Sequence, residues 1–103
     1  MHIAVHNKQS LLSLLKANGQ TLRSYGVSNV RLFGSFVHDR SRNDSDVDLL
    51  VEFDPAKKTY DNFIDLSFFL EDLLGRRVEL ITPQSLSKYI GPHILSQAEN
   101  VPF

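Results

Sequence analysis

Cysteine is absent from the 103 residues, which excludes disulfides and thiolate metal sites and fits a reducing compartment. An excess of charge of one sign is also missing: 11 Lys and Arg stand against 12 Asp and Glu, for a net charge of −1. Proteins that hold long nucleic acids by their phosphates show a basic excess or stripe, so nucleic acid is not expected as a direct ligand. No apolar run approaches the ~20 residues needed to cross a bilayer. The opening MHIAVHNKQS has neither the basic segment nor the apolar stretch of a secretory leader, so a cytoplasmic location is expected, without membrane partners. Repeats, low-complexity tracts and internal boundaries are lacking too. What is there is ordinary for a globular chain, 42% hydrophobic and 22% charged, and 103 residues suit one domain spanning 1–103.

Local patterns order the chain. Leu11, Leu12, Leu14 and Leu15 line one face of a helix from Asn7 to Asn18, with Asn7 as N-cap and Gly19 as stop. A second short helix is expected over 20–25, ended by Gly26. VRLFG (30–34) reads as a strand entering a turn, and FVHDRSRNDS (36–45) as a mostly polar loop. VDLLVEF (47–53) is the strongest strand signal, rich in β-branched and aromatic residues. DPAKK then reads as a turn and mobile loop. Tyr60 to Leu74 is dense in apolar residues at helical spacing, between Thr59 as N-cap and Gly75 as stop. RVELIT (77–82) is a third strand, interrupted by Pro83. QSLSKYIGPHILSQAE reads as two helical turns broken at Gly91–Pro92. This order predicts an α/β (α+β) domain, a small mixed sheet packed on helices.

Chemistry concentrates where a Gly34-Ser35 turn is followed, ten residues on, by Asp46-Val47-Asp48. Alternation along a strand puts Asp46 and Asp48 on one face, about 6.5–7 Å apart at Cα. Val47, Leu49, Val51 and Phe53 then form the apolar face. Two carboxylates so close repel unless a cation stands between them or one keeps its proton. An all-oxygen ligand set favours Mg²⁺, or Mn²⁺, over Zn²⁺. Glu79, mid-strand between Val78 and Leu80, is the candidate third acid, because a charge there is costly unless it faces solvent or metal. Gly34 permits close approach of backbone to a phosphate, while Ser35 offers a hydroxyl and an N–H at a helix start.

The run LFGSFVHDRSRNDSDVDLLVEF resembles the minimal nucleotidyltransferase family of the DNA polymerase β-like superfamily. The likeness extends from the YGV at Tyr25 through LGRRVELITPQSL to the C-terminal helix. It implies that fold, with Gly34 and Ser35 holding a nucleoside triphosphate and Asp46, Asp48 and Glu79 binding metals and catalysing transfer. Many relatives have an Arg-Gly pair shortly after Gly-Ser where this chain has His38 and Asp39. The resemblance therefore assigns the basic nucleotide contact to Arg40 or Arg42. Many relatives also use Asp where this chain has Glu79. The implied activity is Mg²⁺-dependent transfer of AMP from ATP to an acceptor hydroxyl. The implied partner is a HEPN-type toxin, for which such proteins act as antitoxins.

Competing readings are simpler. An Asp-x-Asp pair alone is commonly just solvated, and Glu79 would then be an exposed residue paired with Arg76 or Arg77. His38 reads as a surface loop residue, with contact to phosphate as its alternative, and His2, His6 and His93 show no ligand spacing. Lys57 and Lys58 could close over a triphosphate or simply be solvated. Phe63, Phe68 and Phe69 suit core or partner interface better than base stacking. A face of Phe63, Leu66, Phe69 and Leu70, with the tail Val101-Pro102-Phe103, is expected to receive a partner wherever it is uncovered. Two alternatives to an enzyme are an antitoxin that masks its toxin by stoichiometric binding and a nucleotide sensor without transfer.

Overall fold

The computed structural model describes Val5 and residues 7–37, 46–89 and 91–103. Helix α1 (Lys8–Ala17) starts where its cap requires: Asn7 Oδ1 accepts the Ser10 N–H at 2.8 Å, satisfying an otherwise orphaned donor. It buries Leu11 and Leu15, and α2 (Gly19–Ser24) buries Leu22.

Strand β1 (Val27–Phe33) runs antiparallel to β2 (Val47–Phe53), with Phe33 opposite Asp48. Helix α3 (Tyr60–Leu74) follows, between Thr59, whose Oγ1 accepts the Asn62 N–H at 3.1 Å, and a left-handed Gly75 at φ 67°. It returns the chain to β3 (Val78–Ile81), parallel to β2, with Asp48 opposite Glu79. Helix α4 (Gly91–Gln97) then leads into β4 (Glu99–Asn100), antiparallel to β1. Among the described residues the sheet order is β3-β2-β1-β4, a mixed sheet as expected.

One sheet face carries Val30, Leu32, Val47, Leu49, Val51, Val78 and Leu80, which join Leu11, Leu15, Leu66, Leu70 and Leu74 of the helices in one buried cluster. The register places Asp48, Leu50 and Glu52 on the other face, beside Phe33, Arg31 and Asn29 on β1 and Glu79 and Ile81 on β3. Leu50 is buried there, outside that cluster, so this face is not simply a solvated one.

Several expectations are corrected. β1 begins at Val27, because Val27 is buried and opposite Phe53. DPAKK is an ordered turn: Asp54 Oδ1 accepts the Ala56 N–H at 3.0 Å, and Pro55–Lys57 forms one 3-10 turn. Gly91–Pro92 opens α4 instead of breaking a helix, since a first turn has no use for the N–H that proline lacks. Leu66 and Leu70 lie in the chain's own core. The tail is tied down as well: the buried Val101 gives its N–H to Val30 O at 2.9 Å, and the partly buried Phe103 packs on the core, its carbonyl accepting from the Arg23 guanidinium, which also covers its ring. Phe63 and Phe69 pack on the core through Phe53 and Tyr25, leaving Phe68 exposed. Among the described residues no helix is long and apolar enough to cross a membrane.

Candidate active site

The site is assembled by register. Antiparallel pairing sets the end of β1 against the start of β2, so the turn that leaves β1 meets the acids that enter β2. Gly34 opens a single 3-10 turn, Gly34–Phe36, at φ 78°. Residues with a Cβ avoid that left-handed region, and here a second constraint joins it. A Cβ at Gly34 would overlap the Asp48 carboxylate. The glycine thus brings backbone and acid together, a role that its expected contact with phosphate alone does not reveal. Phe36 closes the turn into the core, fully buried, with the Arg76 guanidinium 5.1 Å from its ring centre. Arg76 also donates to Val5 O, so the hydrophobic stack fixes the turn from beneath.

Parallel pairing supplies the third acid. Glu79 stands opposite Asp48 in the parallel register. Asp46 immediately precedes β2, half-buried like Asp48, while Glu79 is exposed. Asp48 is pushed up to about 6, first by burial, then by the hydrogen bond and negative charge of Glu79, and last by the charge of Asp46. Three acids therefore lie near one end of β2. Among the described residues no three His, Asp or Glu groups close on a common point as a ready metal cage.

The Ser35 side chain, His38, Asp39, Arg40 and Arg42 lie outside what the structure describes, as do His2 and His6. His93 sits on α4, its ring 3.4 Å from the Gln97 amide. Lys57 and Lys58 are not at the acid site. They follow β2 at its opposite end, and the Lys57 stem lies against Gly26. What sequence reasoning missed is a cleft at that end, walled by Lys58 and Thr82 among others. Its only local signal was the pair of lysines after the strand.

A family model described as a nucleotidyltransferase domain matches residues 13–100, a span that includes Gly34, both aspartates and Glu79. Protein adenylyltransferase MntA of Thermococcus cleftensis is 36% identical over 96 residues, covering 92% of this chain and 96% of its own. The chain belongs to the nucleotidyltransferase domain family, among its minimal, MntA-type members. A solved structure described as a minimal nucleotidyltransferase superposes with a TM-score of 0.78 at 31% identity, covering 94% of this chain and 96% of that one. A more distant structure shares the fold at a TM-score of 0.63 and 19% identity, covering 91% of this chain and 71% of that one: a tri-AMPylated Shewanella oneidensis HEPN toxin in complex with an MNT antitoxin. This minimal nucleotidyltransferase is thus an enzyme of nucleotidyl transfer.

Proposed function

We propose that this enzyme transfers AMP from ATP to a hydroxyl of a HEPN-type toxin, and so acts as its antitoxin. The observation that carries the reading is the convergence of Gly34, Asp46, Asp48 and Glu79 where β1 meets β2. Carboxylates this close repel unless a cation stands between them, and Asp46, Asp48 and Glu79 are the residues that would hold Mg²⁺, or Mn²⁺ in its place. Bound there, the cation would neutralise phosphate charge and lower the cost of the departing pyrophosphate.

The chain's own groups do the rest. Gly34 keeps the backbone low enough for the β- and γ-phosphates to approach, the Ser35 N–H donates to them, and Arg40 or Arg42 adds the basic contact. Glu79, exposed at the rim, is placed to take the proton of the attacking hydroxyl. The acceptor oxygen bonds to the α-phosphorus, the bond to the bridging oxygen breaks, and pyrophosphate leaves. Positioning and charge neutralisation account for most catalysis in such transfers. The relative named as a protein adenylyltransferase and the neighbouring complex of an AMPylated HEPN toxin with its antitoxin support a polypeptide acceptor.

Co-expression with the product of the adjoining reading frame, followed by intact-mass spectrometry, tests the reading. A partner heavier by one or more AMP units is expected, and the added mass should vanish with Asp46→Asn or Asp48→Asn. An unmodified yet neutralised partner would establish masking instead. Transfer to a small molecule or an RNA end would keep the enzyme but reject the toxin as acceptor.

A further inference from the structure

Arg76 and Arg77 are neighbours in the chain with opposite surroundings. From Arg76 to Leu80 the residues alternate: Arg76, Val78 and Leu80 are buried, while Arg77 and Glu79 are exposed. Successive side chains of an extended chain point to opposite faces, so Arg77 shares the face of Glu79. Arg76 turns its guanidinium inward, to the Phe36 ring and Val5 O. Arg77 joins the sheet through its backbone: its carbonyl accepts the Val47 N–H at 2.9 Å, next to the pairing of Val47 with Val78. That bond carries the parallel register one row beyond β3 and sets Arg77 beside Asp46.

Across the three strands the acid site therefore has two sides. Phe33, Asp48 and Glu79 form one row, with Asp48 in the middle. The Gly34 turn follows Phe33 on the β1 side. Arg77 and Glu79 stand on the β3 side, one strand spacing of about 4.8 Å beyond the aspartates. In an in-line displacement the attacking and leaving oxygens lie on opposite sides of the phosphorus. With the β- and γ-phosphates at the Gly34 turn, pyrophosphate departs toward β1 and the acceptor approaches from β3. Among the described residues β3 ends the sheet order, so the sheet leaves that approach open.

We propose that Arg77 receives an acidic side chain of the acceptor polypeptide, beside the hydroxyl to be modified, and so selects which hydroxyl reaches the α-phosphorus. Among the described residues no ion pair joins Arg77 to Asp46 or Glu79, although both share its face. Its planar guanidinium can grip a carboxylate through two parallel N–H donors, a geometry that lysine does not reproduce. An acceptor nearing three acids and a triphosphate enters a negative field, and a cation on its approach offsets the repulsion of its own acid. The nucleotide phosphates lie on the other side of the aspartates, which assigns Arg77 to the acceptor. The inference rests on the reading that the acceptor is a polypeptide, and it makes Arg77 a specificity residue.

Arg77→Gln, Arg77→Lys and Arg77→Glu test it, since the side chain is exposed and its exchange leaves the core intact. Transfer would be measured to the partner from the adjoining reading frame, varying partner and ATP in turn. Calorimetry without nucleotide gives partner affinity, and peptide mass spectrometry locates the modified residue. Arg77→Gln is expected to raise the acceptor KM and the partner Kd about ten-fold, as loss of one interfacial arginine does, with the ATP KM and kcat unchanged. Arg77→Lys should recover part of the loss. Arg77→Glu should lose more, and regain transfer when the acid beside the modified residue is exchanged for lysine. A raised ATP KM in Arg77→Gln would assign the residue to the nucleotide and overturn the proposal. An unaltered partner Kd, a modified residue with no acid beside it, or a charge exchange that restores nothing would overturn it too. If the wild-type chain binds the partner without modifying it, the transfer reading fails, while the Kd of Arg77→Gln still decides whether Arg77 meets the partner. If it neither binds nor modifies that partner, both fall.

Discussion

At the scale of single residues, Asp48 and Gly34 are the most informative. The carboxyl of Asp48 is raised to about 6 in the folded chain against an ordinary value of 3.8, so the folded state holds this proton more tightly than the unfolded state does. Its contribution to stability is therefore fully present below about pH 4 and is lost as pH rises through about 6. Asp48→Asn should flatten that part of the metal-free stability curve, leave the protein at least as stable at pH 7, and abolish transfer. Denaturant melts across pH and a transfer assay check all three. Cation binding needs the ionised acid, so Mg²⁺ affinity should climb from pH 5 to 7 and then level off in calorimetry. Gly34→Ala meets both a left-handed backbone and the Asp48 carboxylate. A loss of about 1–2 kcal/mol from the backbone alone is expected, together with loss of transfer. Gly75→Ala is the comparison: the same backbone penalty at φ 67°, at the end of α3 and four residues before Glu79, with transfer retained.

At the scale of elements, β2 has two faces with different duties. Leu49 is fully buried in the core cluster, one residue from a catalytic candidate. Leu49→Ala should cost about 2–5 kcal/mol through the cavity it opens, with kcat at permissive temperature largely kept. A melt combined with a transfer assay separates this from the aspartate variants, which invert the pattern. Unchanged stability in Leu49→Ala would contradict the assignment of faces. Helix α3 illustrates the same division: Leu66, Leu70 and Leu74 bind it to the sheet, while its first residues help build the cleft.

At the scale of the whole molecule, Val5 and the segment from Val101 are structural parts. Val5 N–H donates to Leu74 O at 3.0 Å, and Val101 lies in the core. Deleting Val101–Phe103 should lower stability by about 1.5–3 kcal/mol for the buried valine alone, with further loss from the Arg23 contacts. A thermal melt of the truncated chain checks it; an unaltered melting temperature would restore the tail as a free interface. Binding at the acid site should act on the whole fold as well. Mg²⁺ with ATP at about 100 times the dissociation constant would add roughly 2.7 kcal/mol, and EDTA should remove the shift in melting temperature.

Sequence alone determined what short-range rules decide. The bounds of β2 and α3 followed from a β-branched run, a threonine cap and a glycine stop, each acting within a few residues. The Gly34-Ser35 and Asp46-x-Asp48 spacing was legible for the same reason, and with it the family likeness. Tertiary structure decided what depends on residues distant along the chain. Glu79 faces Asp48 only through the parallel register of strands separated by α3. The closeness of Gly34 to Asp48 needs the antiparallel pairing of β1 and β2. The two residues of β4 carry no strand signal of their own, and they become a strand only because β1 offers an edge. The apolar face of α3 and the tail looked like an interface in one dimension, since apolar pattern records that a surface must be covered but not by what. In three dimensions the chain covers them itself, and the open groove appears instead where two parallel strands end.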